Sequence, residues 1–149
     1  MKILFICHAN MCRSVMAEYL LKKYLPSAEV FSRGIYAETE QTVPQSVVLF
    51  LAEQGIDWAG YKPRQLGEQD LAAADWVFCM EPGQVEKLTD RYAQYTDKIW
   101  LLNEFALDKE TAVEDPVNLK GRAFTKVAKR LQEAVWACAK RLENKNPAA

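Results

Sequence analysis

The chain holds one histidine, His8, and four cysteines at positions 7, 12, 79 and 138, none of them in a C-x-x-C pair. That scarcity leaves neither a zinc-ligand spacing nor the parts of a Ser-His-Asp or Cys-His-Asp triad, so chemistry without metal or cofactor is expected. An excess of one charge is lacking too: 19 Lys and Arg stand against 20 Asp and Glu, a formal net charge of -1. Such a balance argues against a general nucleic-acid or membrane-surface binder, and any positive field for an anion has to be local. Ahead of His8 come a single lysine and a few apolar residues, too few for a signal-peptide core or a membrane span. With its thiols read as reduced, the chain is expected in the cytoplasm, without membrane insertion. No internal repeat or low-complexity tract appears, and 149 residues suit a single domain covering 1–149.

What is present is an alternation of strand-like and helix-like segments. Residues 2–7 read as a buried parallel strand, because the run is continuously apolar after Lys2 rather than alternating. From Ser14 onward Ala17, Leu20, Leu21 and Tyr24 recur at helical spacing until Leu25-Pro26-Ser27 stops the run. Glu29–Ser32 reads as a second strand, with a loop from Arg33-Gly34 to Thr42. Pro44 opens a helix bearing Val47, Val48, Leu51 and Ala52 that Gly55 ends, and Ile56 to Gly67 reads as an irregular connection. Leu71–Ala74 looks helical, Trp76–Met80 looks like a third buried strand, Glu81-Pro82 starts a helix toward Tyr92, and Lys98–Leu102 is a fourth strand. Periodicity lapses from Asn103 to Leu119. Phe124, Val127, Leu131, Ala134, Val135, Cys138 and Leu142 then mark one long amphipathic helix, expected to fray after Glu143. Alternation of this kind implies an α/β fold with βαβ crossovers, a parallel sheet covered on both faces, and ligands bound beyond the strand carboxyl ends, where Cys7 lies.

Chemistry concentrates in the first loop. Cys7 and Arg13 stand six positions apart in Cys7-His8-Ala9-Asn10-Met11-Cys12-Arg13-Ser14, between a strand and a helix N-terminus where several N–H groups can converge on a phosphate. Cysteine attacks as the thiolate, so loop amides, helix N-terminus and Arg13 are expected to favour the Cys7 anion. The same donors suit phosphoryl oxygens, with the Arg13 fork taking two of them. Ser14 is placed to donate to the Cys7 sulfur and to cap the helix. Asn10 is expected to brace the loop, since asparagine tolerates left-handed backbone. His8 reads as a loop backbone donor rather than a catalytic base.

The string Cys7-x-x-Asn10-x-Cys12-Arg13-Ser14-x-Met16-Ala17-Glu18, with Ser32-x-Gly34, Gly55-Ile56-Asp57, Ala74-Asp75, Met80 and Asp115-Pro116, resembles the low-molecular-weight protein tyrosine phosphatase family. The resemblance covers most of the chain. It implies a three-layer sandwich with a four-stranded parallel sheet of order 2-1-3-4 and helices on both faces. It also implies metal-free hydrolysis of phosphotyrosine and aryl phosphates through a phosphocysteine on Cys7. Arg13 then binds the phosphoryl group, with His8, Ala9, Asn10, Met11, Cys12 and Ser14 completing the cradle, and Asp115 is the general acid. The implied partner is a phosphorylated protein, a tyrosine kinase among the candidates, met by a monomer or weak dimer.

Read from the residues alone, Asp115-Pro116 is also a common turn pair, although Glu114 beside it would help a carboxyl keep its proton. Ala9 replaces a usual glycine, which leads us to expect a slightly strained or widened cradle, and Val15 replaces a proline. Glu38 and Val117 stand where tyrosine-selective members carry aromatics, so Tyr36 or a tryptophan is the expected substitute wall, with Met11 against the leaving group. Cys12 has two open readings, core filler or resolving thiol for Cys7. Cys79 and Cys138 read as core, Trp76, Trp100 and Trp136 as core or cleft rim, Trp58 as core or surface contact, and Tyr92 and Tyr95 as partly exposed. Competing functions are a protein arginine phosphatase, an arsenate reductase on the same fold, which needs a cysteine relay, and a non-catalytic phosphate-binding module. Hydrolysis of p-nitrophenyl phosphate should proceed without added metal, resist chelators and stop with vanadate or iodoacetate; phosphate binding without turnover would leave the binding module.

Overall fold

The computed structural model describes residues 1–58 and 60–145. Its elements, in chain order, are β1 (Lys2–Cys7), α1 (Arg13–Tyr24), β2 (Glu29–Gly34), α2 (Gln45–Glu53), α3 (Glu68–Ala73), β3 (Trp76–Cys79), α4 (Pro82–Arg91), β4 (Ile99–Leu101), α5 (Leu102–Leu107) and α6 (Gly121–Lys145). All strand pairings are parallel and the sheet runs β2-β1-β3-β4, as the resemblance implies.

The unbroken apolar run of β1 follows from its central place, since alternate side chains enter different cores. Ile3, Phe5 and Cys7 face α1, α2, α5 and α6, where Leu20, Leu51, Phe105 and Leu131 pack. Leu4 and Ile6 face α3 and α4, where Leu71 and Leu88 pack with Val77 and Cys79. Helices thus cover both faces in three layers. No described helix is long and apolar enough to cross a membrane.

Several boundaries differ from the sequence reading. β2 extends to Gly34 because Gly34 pairs with Cys7. The aperiodic stretch contains α5, too short for periodicity to register, whose Leu102, Phe105 and Ala106 are buried and whose C-cap Asp108 turns left-handed at φ 57°. Helix α6 continues past Glu143 to Lys145, and the expected fraying beyond it lies outside the described residues. Trp100 and Trp136 are partly exposed rather than core. Trp100 is the outward residue of the three-residue edge strand β4, and Trp136 packs edge-on against Tyr24, away from the cleft. Trp58 is partly buried against the main core, while Cys79 and Cys138 are fully buried as expected.

Gly34 ties this frame to the first loop. Its N–H donates to the Arg64 carbonyl at 2.9 Å and its carbonyl accepts from Leu66 at 2.9 Å, so the irregular connection is stitched onto the end of β2. A Cβ at Gly34 would stand 2.9 Å from both the Ala9 carbonyl carbon and the Asn10 nitrogen. Backbone cannot yield there as a flexible side chain would. Gly34→Ala should therefore lower unfolding free energy by about 1–3 kcal/mol and weaken phosphate binding, measurable by denaturant melts and phosphate inhibition.

Candidate active site

The loop between β1 and α1 is held from outside by its carbonyls. Cys7, His8 and Ala9 accept from the amides of Ile35 (3.0 Å), Tyr36 (2.8 Å) and Glu38 (3.2 Å), which places the chain after β2 as a rail along the loop. The amides from Ala9 to Ser14, by contrast, donate to no protein group among the described residues. A run of unpaired N–H groups opening a twelve-residue helix is suited to receive an anion.

Asn10 makes the turn. It adopts φ 58° and is fully buried, a conformation asparagine tolerates better than most residues. Its amide nitrogen donates to Ser14 Oγ at 2.8 Å and Ser32 Oγ at 3.0 Å. Its oxygen accepts from Tyr61 Oη at 2.5 Å and the Arg64 amide at 2.8 Å. The brace is thus mainly between side chains. Ser32 Oγ donates to Glu18 Oε1 at 2.7 Å, and Lys22 pairs with that buried carboxylate at 2.6 Å. Because Ser14 Oγ accepts from Asn10, its own proton is free to point at Cys7 Sγ, 2.9 Å away. Ser14 does not cap the helix: Cys12 is the N-cap and no side chain closes it, since the hydroxyl is already spent on sulfur and carboxamide.

Arg13 is buried at the first turn of α1. Its guanidinium donates to the Val113 carbonyl at 2.9 Å and to Glu81 Oε2 at 3.0 Å, and reaches Asp115 Oδ2 at 3.5 Å. Val113 is itself pinned, its amide donating to the Met80 carbonyl at 2.7 Å, so the segment carrying Asp115 hangs from the end of β3. Asp115 Oδ1 accepts from the Val117 amide at 3.1 Å, which aims the carboxyl from a half-exposed turn. Glu114 is 3.9 Å from Arg130 of α6.

Cys7, Arg13 and Asp115 meet in one cavity of about 350 Å³, lined also by His8, Ala9, Met11, Cys12, Glu38, Gln41 and Val117. A profile of low molecular weight phosphotyrosine protein phosphatases matches residues 2–148. This chain belongs to that family. It is 30% identical over 140 residues, 94% of each chain, to a probable low molecular weight protein-tyrosine-phosphatase, EpsP, of Ralstonia nicotianae. It is 33% identical over 116 residues to a protein-arginine-phosphatase of Geobacillus stearothermophilus, covering 77% of this chain and 78% of that one. The solved YwlE arginine phosphatase from the same organism superposes with a TM-score of 0.91 at 28% identity, covering 99% of this chain and 96% of that one.

Within the phosphatase cavity Met11, Glu38 and Val117 stand where expected, and Tyr36 does not. Tyr36 lies in a neighbouring depression with Ile35, Glu81, Gln84 and Lys87, because Lys87 Nζ donates to its hydroxyl at 3.0 Å and draws the ring outward. No tryptophan lines the cavity either. Ala9 stays outside the left-handed region, so its Cβ adds no left-handed backbone strain. Burial pushes the Cys12 thiol up to about 12, with the charges of Asp115 and Cys7 adding to the shift. Cys12 therefore stays protonated near neutral pH. Sequence reasoning missed Glu81, Val113 and Tyr61; only Glu81 carried a signal, its place just beyond the carboxyl end of β3, beside β1.

Burial raises the Tyr61 phenol to about 12, so it stays a donor to Asn10 throughout the working range. Tyr61→Phe should cost about 1 kcal/mol of stability, lower kcat and weaken phosphate binding. The unfolded phenol releases its proton near 10 and the folded one near 12, so stability falls as pH rises through that window. Melts of the variant should show a shallower alkaline decline.

Proposed function

We propose that this chain is a cytoplasmic, single-domain protein-tyrosine phosphatase that hydrolyses phosphotyrosine and other aryl phosphate monoesters through a phosphocysteine on Cys7. The observation that carries the reading is the run of unpaired loop amides around Cys7, closed by buried Arg13 and faced by Asp115. In the first step the Cys7 sulfur attacks phosphorus, the P–S bond forms, the P–O bond breaks, and Asp115 protonates the departing oxygen. In the second, water attacks phosphorus, Asp115 takes its proton, and the Ser14 hydroxyl steadies sulfur as it leaves. Arg13 and the amides hold the equatorial oxygens through both steps. Glu81 and Val113 position Arg13 without touching the phosphoryl group. The partner is a phosphorylated protein, a tyrosine kinase among the candidates, and the chain acts as a monomer or weak dimer.

Phosphoarginine hydrolysis is the second reading. Two observations favour it: likeness to the arginine phosphatase, and a wall carrying Glu38 and Val117 in place of aromatic rings. A carboxylate there can meet a guanidinium. Met11 and Val117 instead offer an aryl ring apolar contact, which favours tyrosine. An arsenate reductase relay has little support, since Cys79 and Cys138 are fully buried.

Cys7→Ser should abolish turnover while vanadate still binds; full activity would end the phosphocysteine mechanism. Asp115→Ala should slow esters of poor leaving groups roughly 100-fold or more and spare activated ones. Rates on phosphotyrosine peptides should exceed those on phosphoarginine, and the reverse order would install the second reading.

A further inference from the structure

The mouth of the cleft carries two charges without opposite partners among the described residues. Lys87 of α4 makes no ion pair; its ammonium donates to Tyr36 Oη at 3.0 Å and lies 4.7 Å from the ring centre. Glu38 makes none either, although its amide is tied to the Ala9 carbonyl at 3.2 Å and its side chain lines the main cavity.

His8 joins the two charges into one surface, because it lines both the phosphate cavity and the depression holding Tyr36 and Lys87. The carboxylate in that depression, Glu81, is already taken by Arg13 at 3.0 Å and by the Gln84 amide nitrogen at 3.1 Å. Glu86 and Asp90 border Lys87 on its other side, beside Arg91, and do not line the depression. The rail after β2 sets the order. Tyr36 is bonded beside His8 and Glu38 beside Ala9, so the rim changes from cationic to anionic along one short backbone segment.

We infer that this rim reads the residues flanking the phosphotyrosine, seating an anionic side chain against Lys87 and the Tyr36 hydroxyl and a cationic one against Glu38. This rests on the phosphotyrosine reading. Because the Tyr36 oxygen accepts from Lys87, its own proton remains to be donated to the incoming anion, so the two act as a pair. Both charges are surface groups, so each match changes kcat/KM by roughly two- to fivefold and weakens with salt.

The test uses four phosphotyrosine peptides: neutral flanks, acidic before and basic after, the reverse order, and acidic on both sides. One of the two mixed-charge orders should exceed both its reverse and the neutral peptide. Lys87→Ala should remove the gain from the acidic flank, and Glu38→Gln the gain from the basic one. Replacing the acidic residue by a second phosphotyrosine distinguishes carboxylate from phosphate as the preferred anion. Equal rates for the two mixed orders, or a preference that survives both substitutions, would overturn the inference. Absence of hydrolysis for every peptide, the neutral one included, would overturn the phosphotyrosine reading instead. Affinities of the same labelled peptides for Cys7→Ser then still report the charge preference, and equal affinities reject it.

Discussion

Asn10 holds a left-handed turn at φ 58° only because every hydrogen-bonding position of its buried carboxamide is filled. An amide of this kind offers two donors and an oxygen with two lone pairs, and leaving any of them empty in a dry interior costs about 1–3 kcal/mol. Four residues from three separate segments supply the partners: Ser14 from α1, Ser32 from β2, and Tyr61 and Arg64 from the connection between α2 and α3. The loop has its working shape when all of them are docked. Its unpaired amides are then held in place before any anion arrives, so little reorganisation would be needed to receive one. Gly34 serves the same end by letting β2 approach the loop backbone where a Cβ would not fit.

What could be read from the sequence was what is written locally. The apolar run of β1, the spacing of Cys7 and Arg13, and the long stripe of α6 each declare themselves within a few residues, and the structure has them there. Helix α5 was invisible because six residues give too little periodicity, and because Phe105 is buried by contact with Trp76, Phe78 and Trp100 rather than by a repeating pattern. The partners of Arg13 were invisible for another reason. Val113 lies 100 positions away in the chain, and its contribution is a carbonyl oxygen that no side chain announces. Tyr36 shows the limit from the other side: its place beside the cleft was legible, but the direction of its ring depends on Lys87, 51 positions later. For Ser14 both the sulfur contact and the helix cap were chemically open, and only the arrangement of Asn10 decides between them.

The site therefore divides into a floor and walls that obey different constraints. Floor groups are buried and multiply bonded: Arg13 is fixed by Val113 and Glu81, Asn10 by four partners, Glu18 by Lys22 and Ser32. Changing one strands others without partners. Wall groups stand apart from that network. Val117 is nearly half exposed, and Glu38 touches the loop only through its backbone amide. Side chains there can be exchanged at little cost in stability, so one cradle can serve an aryl ester in one relative and a phosphorylated guanidinium in another. It follows that overall likeness to either group of relatives is a weak guide to substrate. On the proposed reading, substrate choice therefore rests with exchangeable wall side chains, in this chain Met11, Glu38, Val117 and the Tyr36–Lys87 pair.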